Sequence, residues 1–125
     1  MNNRGWPIFR GGPRRAGQTQ VLPAEEPKIL WSRQIGDYAR SSPVTGDDGT
    51  VYIGSWDHRL YAVSAEGETQ WTSRTLDHIV GSPGVGGKGN IYVGSYDFKI
   101  YGFDNLGKAK WTVPTLSYVM SSPIE

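Results

Sequence analysis

The chain has 125 residues, 20% of them charged, with a formal net charge of +1 and no cysteine. That length is one ordinary domain with a modest core; the near-neutral charge gives no footprint for nucleic acid or for a polybasic membrane contact. The missing cysteines exclude disulfides, thiolate metal ligands and thiol nucleophiles, while 17 glycines beside 5 tryptophans and 7 tyrosines suit short strands, tight turns and large rings between them.

In chain order, residues 1–27 read as an irregular basic lead-in. Its opening, "MNNRGWPIFRGGPRRAGQTQ", has no apolar h-region and is not a secretory signal, so the chain either stays in the cytoplasm or draws an export signal from outside this sequence. No apolar run in the chain approaches the ~20 residues that span a bilayer, which predicts no transmembrane segment. Residues 28–34 read as a leading outer strand. Four β-type runs follow: "SSPVT" at 41–45, "TVYIGS" at 50–55 after the turn "GDDG", "RLYAVS" at 59–64 after "WDH", and "ETQWTSR" at 68–74 after "AEG". Runs joined by turns of two to four residues form an antiparallel meander.

The same series then returns. Residues 31–70 laid over 71–110 without a gap match at Trp31/Trp71, Asp37/Asp77, Ser42/Ser82, Pro43/Pro83, Gly46/Gly86, Gly49/Gly89, Tyr52/Tyr92, Gly54/Gly94, Ser55/Ser95, Asp57/Asp97, Tyr61/Tyr101 and Gly67/Gly107. A third copy opens at Trp111 and repeats "SSP" at 121–123. Four strands repeated at this spacing are the signature of a β-propeller blade. The reading is therefore all-β: a partial β-propeller spanning residues 28–125. It comprises two complete four-stranded antiparallel blades, about 38–74 and 78–114, plus the leading outer strand and a trailing inner strand at 120–124 that begins a truncated third blade. Gly54 and Gly94 would let neighbouring blades approach closely. Starting on an outer strand and ending on an inner one, the pattern reads as an N-terminal fragment. Its missing blades are expected from a longer chain or from oligomerisation.

In a propeller, the loops entering inner strands and the turns joining the two middle strands gather on one face. Here they carry Tyr38, Arg40, Trp56, His58, Arg59, His78, Tyr96, Phe98, Lys99 and Tyr118, an aromatic rim with scattered cations suited to a protein, peptide or glycan partner. The competing reading is that these rings cover blade edges; the in-phase pairs Trp56/Tyr96 and Arg59/Lys99 favour it. Asp57 and Asp97 suit turn carboxylates that cap backbone N–H groups, as do Asp37 and Asp77. "GDDG" at 46–49 reads as a hairpin turn, since two carboxylates are too few for a calcium cage of 6–8 oxygens. His58 and His78, with no positioned carboxylate or cysteine evident, form no recognisable zinc site. The serines of "SSP" lack a nucleophile elbow and suit the backbone of the inner strands. "GVGGKGN" at 84–90 lacks the Gly-Lys-Ser/Thr of a P-loop. No catalytic, cofactor or metal residue emerges.

At "DGTVYIGSWDHRLYAVSAEGETQW" and "KGNIYVGSYDFKIYGFDNLGKAKW" the chain resembles the PQQ-like (quinoprotein-type) β-propeller repeat family. The resemblance implies that the structural repeat positions include Trp31, Trp71 and Trp111. Each closing tryptophan packs between blades against a small residue on the neighbouring strand, here Ala62 and Gly102. The family often has glycine after the turn aspartate; His58 and Phe98 stand there, which puts the turn type in question. The resemblance implies a bacterial, periplasmic or extracellular protein, most simply a non-catalytic scaffold or binding propeller of protein or peptide partners. Its alternatives are the N-terminal part of a PQQ-dependent quinoprotein dehydrogenase, with PQQ and calcium as cofactors, or a glycan-binding or sensor propeller.

Overall fold

The computed structural model describes residues 26–123. Most of the basic lead-in and the end of the trailing segment lie outside these residues. The fold is all-β, with two separate four-stranded antiparallel sheets, each in the order of the chain. The first comprises β1 (Val44–Thr45), β2 (Val51–Gly54), β3 (Arg59–Val63) and β4 (Thr69–Arg74). The second comprises β5 (Gly84–Val85), β6 (Ile91–Ser95), β7 (Lys99–Phe103) and β8 (Ala109–Pro114). Equivalent pairs keep equivalent registers: Tyr52 faces Ala62, which faces Trp71, and Tyr92 faces Gly102, which faces Trp111.

The turns form where the sequence supplies their chemistry. In "GDDG", Gly49 N–H donates to the Gly46 carbonyl at 3.1 Å, and Asp48 accepts from the Thr50 N–H at 3.0 Å. That carboxylate therefore closes a hairpin. His58 and Phe98 take φ of 68° and 65°, so the left-handed turn position is retained although glycine is absent, a conformation that costs a bulky residue energy. "GVGGKGN" forms one short 3-10 turn at Gly87–Gly89 with no helix after it.

Two expectations are corrected. Residues 28–34 form no strand. A strand needs a ladder partner for its N–H and C=O groups; this segment is instead held by side chains, with Trp31 Nε1 donating to the Ala65 carbonyl at 2.8 Å and Arg33 Nε to the Gly67 carbonyl at 2.9 Å. Residues 120–123 form no strand, as their copies at 40–43 and 80–83 form none; the positions that match β1 and β5 lie outside the described residues. The inner strands β1 and β5 are only two residues long, since proline in each "SP" has no N–H to donate to a ladder. Serines stitch the inner edges instead. Ser82 Oγ accepts from Ser42 N–H at 2.9 Å, and Ser122 Oγ from Ser82 N–H at 3.2 Å.

The core lies between the sheets. Val44, Leu60, Ala62, Ile79, Ile91 and Val93 are fully buried. An added Cβ at Gly54 would meet Ile79 Cβ at 2.9 Å, and one at Gly94 would meet Val119 Cβ at 2.6 Å. Each of these glycines thus seats a β-branched side chain from the loop entering the next repeat. At the outer edge, a Cβ on Gly67 would meet Trp31 Cγ at 2.7 Å, and one on Gly107 would meet Trp71 Cδ2 at 2.6 Å. The inter-sheet contact of these tryptophans therefore runs to the turn glycine, while Ala62 and Gly102 are the cross-strand neighbours of Trp71 and Trp111 within one sheet. Trp71 Nε1 also donates to the Asn105 carbonyl at 3.0 Å.

Candidate functional site

The β2–β3 and β6–β7 turns, and the loops at 36–40, 76–80 and 116–120, come together at one end of the two sheets. Their register is tied by backbone bonds across the loops: Trp56 N–H to the Tyr38 carbonyl and Tyr96 N–H to the His78 carbonyl, both 3.0 Å. Beneath them, Tyr61 and Tyr101 each donate their hydroxyl to Asp57 and Asp97 respectively. Asp57 also caps the Arg59 N–H at 3.0 Å, and Asp97 the Leu76 N–H at 3.1 Å. Asp57 thus fastens its own turn, while Asp97 ties the second turn to the preceding loop, its Oδ1 buried with no hydrogen-bond partner among the described residues. Burial, then the hydrogen bond and charge of Asp97, push the Tyr101 phenol up to about 12, so it remains a neutral donor over the ordinary pH range.

Above these fasteners the rings form one connected row. The Arg40 guanidinium lies 4.5 Å from the Trp56 ring centroid, within cation–π range. Tyr38 meets Trp56 edge-on at 5.9 Å, and Trp56 stacks on His78 at 4.9 Å. His58 meets the edge of His78 at 4.9 Å, and Tyr96 lies 6.3 Å beyond it. Tyr118 closes the row, 4.8 Å from Tyr96 and 4.9 Å from Phe98. Tyr38, Phe98 and Tyr118 are exposed, at 69%, 44% and 56%, so the row is open to solvent on one side. Trp56 Nε1 is buried with no hydrogen-bond partner among the described residues.

Eight of the ten rim residues named from the sequence meet in this row. Arg59 turns away: its Nη1 donates to Thr72 Oγ1 of β4 at 3.3 Å. Lys99 opens β7 opposite Pro114. Both stand at the first position of a strand, β3 and β7.

The sequence reading left His58 and His78 without a carboxylate. The fold supplies one: one potential ligand atom from each of His58, Asp77 and His78 lies within 4.8 Å of the other two. The signal lay in the repeat. The positions equivalent to His58, Asp77 and His78 hold Phe98, Ser117 and Tyr118 one repeat later, and Asp37 and Tyr38 match Asp77 and His78 one repeat earlier, so the aspartate recurs and only this slot sets two imidazoles beside it. At the other end of the sheets, a cleft of about 540 Å3 is lined by Asp47, Asp48, Tyr52, Lys88 and Asn105 among others. Asp48 is already committed to Thr50 there, accepting from both the Thr50 N–H and its hydroxyl at 3.0 Å. Among the described residues, no helix is long and apolar enough to cross a membrane. Neither a protein-family model nor a curated protein sequence matches the chain.

Proposed function

We propose that this chain is a β-propeller-type repeat module, of the PQQ-like kind, that binds a protein or peptide through the aromatic row at the loop end of its blades. The observation that carries the reading is the continuity of that row. Five loops or turns from successive repeats contribute rings within 6.3 Å of the next, with Arg40 at one end. Rigid aromatic surface with an adjacent guanidinium is the composition that concentrates binding energy at interfaces. Scaffold character is supported by the polar groups beneath the row, where Asp57 closes its turn and Asp97 joins the second turn to the Leu76 loop. At the far edge, every residue of β8 is exposed and Trp111 is 44% exposed. A further blade, from a longer chain or another copy, would cover Trp111 as the second sheet covers Trp71.

The test is selection of ligands from a displayed peptide library, followed by titration calorimetry. Tyr96→Ala is expected to weaken the selected peptides by ~2 kcal/mol or more, about thirtyfold. Lys88→Ala, in the 3-10 turn at the opposite end, is expected to leave them unchanged. Peptides that lose affinity to Lys88→Ala and not to Tyr96→Ala would sink the reading.

A further inference from the structure

We propose that His58, Asp77 and His78 form a binding site for a divalent transition-metal ion of the zinc class. Two imidazoles and a carboxylate are a donor set that such ions favour, leaving a fourth position to water. One nitrogen or oxygen of each residue lies within 4.8 Å of those of the other two. Ligands around bound zinc stand roughly 3.3 Å apart, given bonds of about 2.0–2.1 Å, so side-chain rotation alone has to close the set.

The parts around the ligands are arranged for this. His78 Nδ1 lies 2.6 Å from the Trp56 carbonyl. A carbonyl only accepts, so Nδ1 carries the proton and Nε2 keeps its lone pair. A ring N–H held by a backbone carbonyl is the usual outer support of a metal-binding histidine. Asp77 Oδ1 accepts the His78 N–H at 2.7 Å, which leaves Oδ2 for an ion. One buried residue holds both loops. Thr75 donates its N–H to the His58 carbonyl at 2.8 Å, and its Oγ1 lies 2.6 Å from the Asp77 carbonyl. The His78 and Asp77 side chains are 34% and 41% exposed, so an ion can enter.

The second copy of the slot shows that the frame does not require these side chains. There Thr115 N–H donates to the Phe98 carbonyl, and Thr115 Oγ1 to the Ser117 carbonyl, both at 2.7 Å. Phe98 and Tyr118 pack with centroids 4.9 Å apart, the same spacing as His58 and His78. The backbone and the ring spacing repeat, and only the first slot carries three ligands. Packing alone is served by the phenyl and phenol; imidazole, imidazole and carboxylate together add metal-ligand chemistry.

The test uses the full 125-residue chain without a histidine tag, titrated with zinc chloride by calorimetry and with cobalt chloride by visible absorption. His58→Phe and His78→Tyr place in the first slot the rings the second slot already accommodates, so both are expected to fold, with circular dichroism as the check. The expected result is one zinc per chain with a micromolar or tighter Kd, intense tetrahedral cobalt bands, and at least a hundredfold loss of affinity in either variant. As a second readout, proton spectra of the wild type should show both imidazoles shifting together up to one equivalent of zinc. Binding no tighter than millimolar, binding retained in both variants, or a shift of only one imidazole would overturn the proposal.

Discussion

Gly54→Ala is expected to destabilise the fold by about 2–3 kcal/mol, although it adds a single methyl group at the end of β2. Gly54 faces Leu60 across β2 and β3. Its α-carbon is pressed against Ile79, a fully buried residue of the loop leading into the second sheet. The new Cβ would stand 2.9 Å from Ile79 Cβ and closer still to its Cγ2. The obstacle is a β-branched side chain with little rotamer freedom, fixed by the Ile79 N–H bond to the Ser55 carbonyl at 3.2 Å. The sheets must move apart, or the loop must. Thermal unfolding of Gly54→Ala, Ile79→Ala and the double variant checks this. Because the methyl of the first fills the cavity left by the second, the double variant should lose clearly less than the sum of the two. Additive losses would mean that Gly54 and Ile79 are not in contact.

Trp71→Ala is expected to cost about 3–4 kcal/mol, and the in-phase Trp111→Ala only about 1–2 kcal/mol. Both tryptophans share their contacts inside one sheet. Trp71 lies 5.8 Å from Tyr52 and Trp111 5.7 Å from Tyr92. They differ in what the next repeat gives them. Trp71 rests on Gly107 and donates to Asn105, whereas Trp111 is 44% exposed. Denaturant titration of the two variants reads the difference. Equal losses would show that the tryptophans stabilise single sheets and do not join one sheet to the next.

The repeat made most of the fold legible. Matching turns at Gly46/Gly86 and Gly67/Gly107, and the β-type runs between them, specified two four-stranded meanders. The leading outer segment failed for a reason the local pattern does not carry. Residues 28–34 have the composition of their strand-forming copy at 68–74, yet a strand exists only where another strand pairs with it. The rim was legible because turns at the same phase must meet at one end of the sheets. Arg59 leaves the rim because it falls just past the turn, where its side chain bonds across the sheet to Thr72. Asp77 was missed as a partner of His58 because the two are 19 positions apart and meet only when successive repeats stack. Repeat phase records equivalence between copies, while contact between copies depends on how the sheets are set against each other.

The most direct test is therefore whether the two sheets stack so that their loops share one surface. A two-dimensional nuclear Overhauser spectrum of the isotopically labelled chain reads this in one experiment. The structure predicts cross-peaks from the Ile79 methyls to the Gly54 α-protons, from the Trp71 indole to the Gly107 α-protons, and from the His78 imidazole to both Trp56 and Tyr96. Cross-peaks confined to pairs within each sheet, such as Tyr52 with Ala62 and Tyr92 with Gly102, would contradict it. The aromatic row, and the binding face built from it, would then not exist in solution.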